Sequence, residues 1–303
     1  MTSLGVRVRV PAKINLHLGV GPRRPDGFHE LMTAFHAVAL FDTVTLTAAP
    51  AMSVRITGES AGEVPTDDRN LAWRAAQAVL GSGPDDPAVA IRIDKAIPVA
   101  AGLAGGSADG AAALIGADAL SGHRRTRSEL SALAATLGSD VAFALRGGTA
   151  IGTGRGEVLS PVLDVPERLY WVLALAHGGL STPAVYAEFD RRRSAGCDVP
   201  AGLTPPTALL HALRHGRPGE VGAALANDLQ PAALALAPHL QRTLDAGMEL
   251  GAFGSVVAGS GPTCVFLAGD ADGASRLAAA LIKAGVCRTT RVAGGPAVGA
   301  QLC

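Results

Sequence analysis

The chain has 303 residues, 48% hydrophobic and 17% charged, with 26 basic side chains balanced by 26 acidic ones. This composition excludes a disordered polypeptide, and the length suffices for two domains. The neutral balance gives no field to draw nucleic acid or an anionic membrane, and no stretch approaches the roughly 20 apolar residues of a membrane span.

The opening "MTSLGVRVRV" alternates apolar and charged residues, a strand pattern rather than the apolar core of a signal peptide. Period-two spacing predicts strands over 6–10 and 14–18. Ile14, Leu16 and Leu18 then share one side, and Lys13, Asn15 and His17 the other. "GPRRPDGF" reads as a loop. Further strands are expected over 43–47, 53–57 and 89–93, and helices over 70–80 and 107–120. Thr126 and Glu129 form a capping-box signature for a helix ending at Leu137. After Gly138 come "SDVAFAL", two strands across the glycine turn of "GGTAIGTGRGEVLSPV", and a buried strand, "LYWVLALA". "RRRSAGCDVPAGLTPP" is the clearest irregular stretch, and its run Arg191, Arg192, Arg193 reads as a solvated face. Helices follow over 207–215, closed by Gly216, and around 231–236 and 238–250. The chain ends strand (255–258), glycine turn, strand (264–267), helix (271–284), strand (288–292). This order predicts α+β layers in two parts, 1–161 and 162–303. The four cysteines are too scattered for a disulfide framework, which fits reduced thiols in a cytoplasmic protein.

Several stretches could carry chemistry. "PVAAGLAGGSADGAAAL" (98–114) places glycines and Ser107 immediately before a helix. A bare helix start attracts anions, and small residues let a phosphate approach the backbone. An ordinary glycine turn capped by Ser107 explains the same letters. The P-loop signature is absent, since the chain has no Gly-Lys pair, and the G-x-G start of a dinucleotide site is missing. Lys13 in "PAKINLHL" is equally a solvated strand lysine, Asp140 in "GSDVAFAL" a helix cap, and "AGSGPTCVFL" a tight hairpin. The histidine of "DGFHEL" fits simple burial. His211 and His215 have the spacing of a zinc pair, but without a third ligand, charge complementation at a helix C-terminus explains them better.

Taken together and in order, "PAKINL", "DGFHEL", "PVAAGLAGGSA", "GSDVAFAL" and "AGSGPTCVFL" closely resemble the GHMP small-molecule kinase superfamily, over about residues 6–292. The resemblance implies an α+β two-domain GHMP-kinase fold. Its N-terminal ATP domain is ribosomal-protein-S5-domain-2-like, its C-terminal α/β domain is ferredoxin-like, and the active site lies in the cleft between them. It implies ATP and Mg²⁺ as cofactors. Pro98, Val99, Ala100, Ala101, Gly102, Leu103, Ala104, Gly105, Gly106, Ser107 and Ala108 then wrap the phosphates, with Ser107 near the metal ion and Asn70 and Lys95 near the nucleoside. Asp140 matches the catalytic aspartate and Lys13 the catalytic lysine that orients it.

Within the superfamily the match is to the branch that phosphorylates a cytidine-diphosphate-linked methylerythritol in the non-mevalonate route to isoprenoids. That branch implies Phe28 and Tyr186 on the two faces of a pyrimidine, His29 on its edge, and polar contacts from Asn15 and Thr182. Two departures stand out: Ala100, Ala101 and Ala104 replace customary glycines, and Phe28 stands where tyrosine is usual. A kinase for another small alcohol, such as homoserine or mevalonate, is the alternative within the fold, and a non-catalytic nucleotide binder the alternative outside catalysis. No heptads indicate an obligate assembly, so a monomer or weak homodimer is expected.

Overall fold

The computed structural model describes residues 5–83, 86–122, 125–197, 202–215 and 217–303. The first half consists of β1 (Val6–Arg23), β2 (His29–Ala49), β3 (Ser53–Gly58), α1 (Leu71–Leu80), β4 (Ala88–Lys95), α2 (Gly105–Ser121), α3 (Arg127–Leu137), α4 (Ser139–Arg146), β5 (Thr149–Gly154) and β6 (Val158–Leu159). The second half begins with β7 (Leu169–Leu175), α5 (Thr182–Ser194), α6 (Thr207–His215) and α7 (Pro218–Ala223). It continues through β8 (Ala226–Asn227), α8 (Gln230–Leu236), α9 (His239–Glu249), β9 (Gly254–Val257), β10 (Cys264–Ala268), α10 (Ala271–Lys283), β11 (Thr289–Gly295) and β12 (Gln301–Leu302).

Two sheets organise these elements. The first has eight strands around the order β12-β1-β2-β4-β3, with β5 on β2, β6 on β5 and β8 on β1. The second has four antiparallel strands in the order β11-β7-β10-β9. Counted along the chain that is fourth, first, third, second, the ferredoxin-like arrangement. β7 explains its own near-continuous hydrophobicity. Trp171, Leu173 and Leu175 enter the core shared with the first sheet, while Val172 and Ala174 enter a second core with Phe189, Phe266 and Leu281. The second half is not separate from the first, because β8 and β12 both return to β1.

The helix starts obey local chemistry. Asn70 caps α1 by accepting the N–H of Ala72, and Thr126 and Glu129 form the expected reciprocal box on α3. Several expectations need correction. β1 is one strand of 18 residues extending into "GPRRPDGF", because bulges at Pro11/Ala12, Asn15/His17 and Val20/Arg23 absorb its irregularities. Both its faces are covered, so Lys13, Asn15 and His17 are buried rather than solvated. α5 runs through Arg191–Arg193 into the stretch read as irregular. Arg191 pairs with Glu188 in solvent, but Arg193 reaches back to donate to the carbonyls of Val20 and Gly21 at 2.6 and 2.7 Å, docking α5 on β1. Residues 198–201, Gly216 and the side chain of His215 lie outside the described residues. No described helix is long and apolar enough to cross a membrane.

Candidate active site

Between β4 and α2 the chain makes a loop of small residues. Ala100, Gly102 and Ala104 all take positive φ, at 51°, 78° and 58°. For alanine that conformation costs about 1–2 kcal/mol per residue, so the two alanines hold a glycine's path under strain. Ala104 is the N-cap of α2 and supplies no side-chain hydrogen bond. Ser107 is therefore not the cap suggested by sequence; it sits in the first turn. The unpaired N–H groups of that turn open onto a cavity of about 540 Å³ lined by 98–102, 104–107, Lys13 and Asp140. Leu103 and Ala108 do not line it; their side chains are buried in the core and anchor the loop.

Gly106 is the most open glycine of the loop: a methyl added there meets no atom within 4 Å. Gly106→Ala should therefore fold as well as the parent, or better by roughly 0.5–1 kcal/mol through helix propensity. If a phosphate lies against this backbone, KM for ATP should rise about ten- to hundredfold, the worth of one hydrogen bond to a charged group. Thermal melting combined with steady-state kinetics checks both halves; an unchanged KM for ATP would mean that the phosphates lie elsewhere.

Lys13 is held from three directions. Its Nζ donates to Asn15 Oδ1 at 2.8 Å and to the Gly102 carbonyl at 3.1 Å, and lies 3.9 Å from Asp140 Oδ2. Asn15 Nδ2 donates to Thr33 Oγ1 at 2.7 Å, and that hydroxyl donates to the His17 carbonyl at 2.8 Å. The relay settles which end of the amide faces Lys13. Asn15, expected on the substrate, here first positions the lysine. Asp140 is not a helix cap, since Gly138 occupies that place; it stands in the first turn of α4 with its carboxylate 35% exposed toward the cleft.

The "AGSGPTCVFL" stretch is the β9–β10 hairpin, and it also closes the cavity with Gly259 and Ser260. Asn227 Nδ2 donates to the carbonyls of Val257 and Gly259, and Thr182 Oγ1 meets Ser260 Oγ at 2.8 Å. An adjoining cavity of about 650 Å³ is walled by Phe28, His29, Tyr186 and Asp190, and Thr182 borders both spaces. His29 stacks on Tyr186 at 5.0 Å, and its Nε2 pairs with Asp190 at 2.8 Å, which leaves Nδ1 for a ligand. Burial, and then the charge of Asp140, hold the Tyr186 hydroxyl above its ordinary pKa. Phe28 projects into the opening, 55% exposed. Sequence reasoning missed Thr33, Arg155, Asp190 and Ser260; the glycine-serine hairpin motif pointed only to the last.

Asn70 and Lys95 border a smaller recess of about 200 Å³ behind the loop. Their polar groups are already committed. Asn70 Nδ2 donates to the Pro65 carbonyl at 2.7 Å while its oxygen caps α1. The Lys95 ammonium is fully buried between Asp42 at 2.5 Å and Asp109 at 2.8 Å. Burial opposes its charge, but the two carboxylates outweigh that and hold its pKa above the ordinary lysine value. Lys95, expected near the nucleoside, borders that recess with its ammonium committed to the two carboxylates and close against Gly105 at the start of α2.

Cleft, helix start and a lysine–aspartate pair facing the cleft together define a small-molecule kinase. Residues 70–148 match the GHMP kinases N terminal domain and 209–287 the GHMP kinases C terminal family. The chain belongs to the GHMP kinases. It is 54% identical over 297 residues to the 4-diphosphocytidyl-2-C-methyl-D-erythritol kinase of Salinispora tropica, covering 98% of this chain and 94% of that one. The same enzyme of Nocardia farcinica is 54% identical, with 98% and 96% covered. A crystal structure of 4-(cytidine 5'-diphospho)-2C-methyl-D-erythritol kinase superposes with TM-score 0.73 at 33% identity, covering 95% of this chain and 98% of that one. A homoserine kinase from Cytophaga hutchinsonii shares the fold, with TM-score 0.75 at 20% identity over 100% of this chain and 98% of that one.

Proposed function

We propose that the protein transfers the γ-phosphoryl group of ATP to the 2-hydroxyl of 4-diphosphocytidyl-2-C-methyl-D-erythritol, giving the 2-phosphate and ADP, on the non-mevalonate route to isoprenoid precursors. One observation carries this reading: the open start of α2 and the Lys13–Asp140 pair line a single cavity, which runs into a second one walled by His29, Phe28 and Tyr186. A phosphate loop alone suits any nucleotide binder, and an aromatic recess alone suits many ligands. Joined, they match a substrate with a pyrimidine at one end and an acceptor hydroxyl at the other.

Asp140 accepts the hydroxyl proton. A weak base suffices, because phosphoryl transfer has a loose transition state in which the proton leaves late. Lys13, fixed by Asn15 and Gly102, orients Asp140 and offsets charge that develops on the transferred oxygens. His29 reads the pyrimidine edge between the rings of Phe28 and Tyr186, and Thr182 and Asn15 contribute polar contacts. Anchoring the distant pyrimidine places the reacting hydroxyl in line, which is itself catalytic. Among the described residues no group of three His, Cys, Asp or Glu could hold a metal unaided. That suits Mg²⁺ bound chiefly through the ATP phosphates, with Ser107 Oγ as its contact on this chain; when bound it neutralises phosphate charge.

The cleft is complete within one copy of the chain, which fits action as a monomer or weak homodimer; four scattered cysteines fit a cytoplasmic setting. The N-terminal kinase domain is read as 1–161 and the C-terminal one as 162–303, with one matched family region falling in each. A coupled ADP-release assay tests the reading. The cytidyl substrate should be turned over with a kcat/KM at least 10³-fold above homoserine and mevalonate, because a polar site left unfilled rejects analogues by about 10⁴–10⁵. Comparable turnover of either aliphatic alcohol would overturn it.

A further inference from the structure

We infer that Arg155 is a substrate-binding residue that recognises the diphosphate joining the two ends of the substrate. The inference rests on the cytidyl-substrate reading above. Among the described residues, Arg155 is the charged side chain that lines both cavities: Lys13 and Asp140 border only the first, and Arg23 and Asp190 only the second. A substrate lying across both must carry its diphosphate through the junction, and the junction is where this guanidinium stands.

The local structure aims it there. Arg155 is at the tip of the β5–β6 hairpin, between Gly154 and Gly156, whose φ values of 72° and 99° form the turn. Ser139 Oγ donates to the Arg155 carbonyl at 2.9 Å, tying the tip to the residue next to Asp140. Glu157 accepts from the Arg155 backbone N–H at 2.6 Å and lies 3.6 Å from its Nε. No described residue hydrogen-bonds the guanidinium; Glu157 pairs with its Nε edge, which leaves the terminal Nη donors for a phosphate. The guanidinium also lies 5.1 Å from the centre of the Phe28 ring, placing the charge beside the proposed pyrimidine face. Gly138 and Ser139, at the start of α4, line both cavities too; the Gly138 N–H is taken by the Ala134 carbonyl, and the helix start adds partial positive charge of the sign a diphosphate needs.

Calorimetric titration with cytidine and with CDP, on the whole chain and on Arg155→Met and Arg155→Lys, tests the assignment. The wild-type chain should bind CDP more tightly than cytidine, with an advantage that shrinks as salt is raised. Arg155→Met should weaken CDP about ten- to hundredfold and leave cytidine, KM for ATP and the melting temperature nearly unchanged. Arg155→Lys should recover only part of the loss, because a point charge cannot match the fork. Equal loss of cytidine and CDP would show that Arg155 merely supports Phe28 and would overturn the assignment. So would CDP affinity insensitive to Arg155→Met, which leaves the cytidyl reading intact. A wild-type chain that binds neither cytidine nor CDP would remove that reading, and this inference with it.

Discussion

Asp140→Asn is expected to lower kcat by about 10²–10⁴-fold, the usual worth of a positioned general base. The replacement keeps shape and hydrogen-bonding capacity but removes the proton acceptor. Its effect on folding should be small. The carboxylate is 35% exposed and 3.9 Å from the Lys13 ammonium, so the pair contributes at most about 1 kcal/mol after solvent screening. Lys13 keeps its contacts with Asn15 Oδ1 and the Gly102 carbonyl, so the electrostatic partner stays in place. ATP affinity should change no more than a few-fold. Single-turnover rates, nucleotide titration and a melting curve separate these terms. A variant retaining more than a tenth of the parental kcat would take the base role away from Asp140.

The five motifs were legible in the sequence because each depends on local constraints: small residues before a helix, a glycine hairpin, an aspartate after Gly138. The alternation of β1 and the capping box at Thr126 and Glu129 were legible for the same reason. What sequence missed is non-local. Burial of Lys13 requires knowing that both faces of β1 are covered, which periodicity along one strand cannot show. The partners of Lys95 lie 53 and 14 residues away, so nothing near it indicates that its charge is already balanced. The helix start moved from Ser107 to Ala104 because Ala104 adopts a left-handed conformation that its own propensity disfavours. Surrounding packing imposes it. α5 was missed because its mixture of charged and small residues has little amphipathic signal, and its docking depends on Arg193 reaching carbonyls on β1. Yet α5 carries Thr182, Tyr186 and Asp190, which is why the pyrimidine wall was the less complete part of the reading.

Gly102→Ala should damage folding and catalysis together, because Gly102 is the point where the phosphate loop touches the hairpin that closes the cleft. Its φ is 78°, a conformation alanine adopts at a cost of about 1–2 kcal/mol. An added methyl would overlap the Ala258 carbonyl oxygen, a backbone atom that cannot rotate away. Forcing apart well-packed segments costs a further 1–3 kcal/mol or so. Together these should lower the melting temperature by on the order of 10 °C. Relief of the overlap also displaces the Gly102 carbonyl that accepts from Lys13 Nζ, so the lysine loses one of its two hydrogen bonds. The enzyme that still folds at low temperature should therefore show kcat reduced about 10²-fold or more, since small misplacements of a catalytic group have effects of that size. Melting curves paired with kinetics well below the transition make the comparison. A stable, fully active alanine variant would mean that the loop and the hairpin do not meet as described, and that Lys13 is positioned without Gly102.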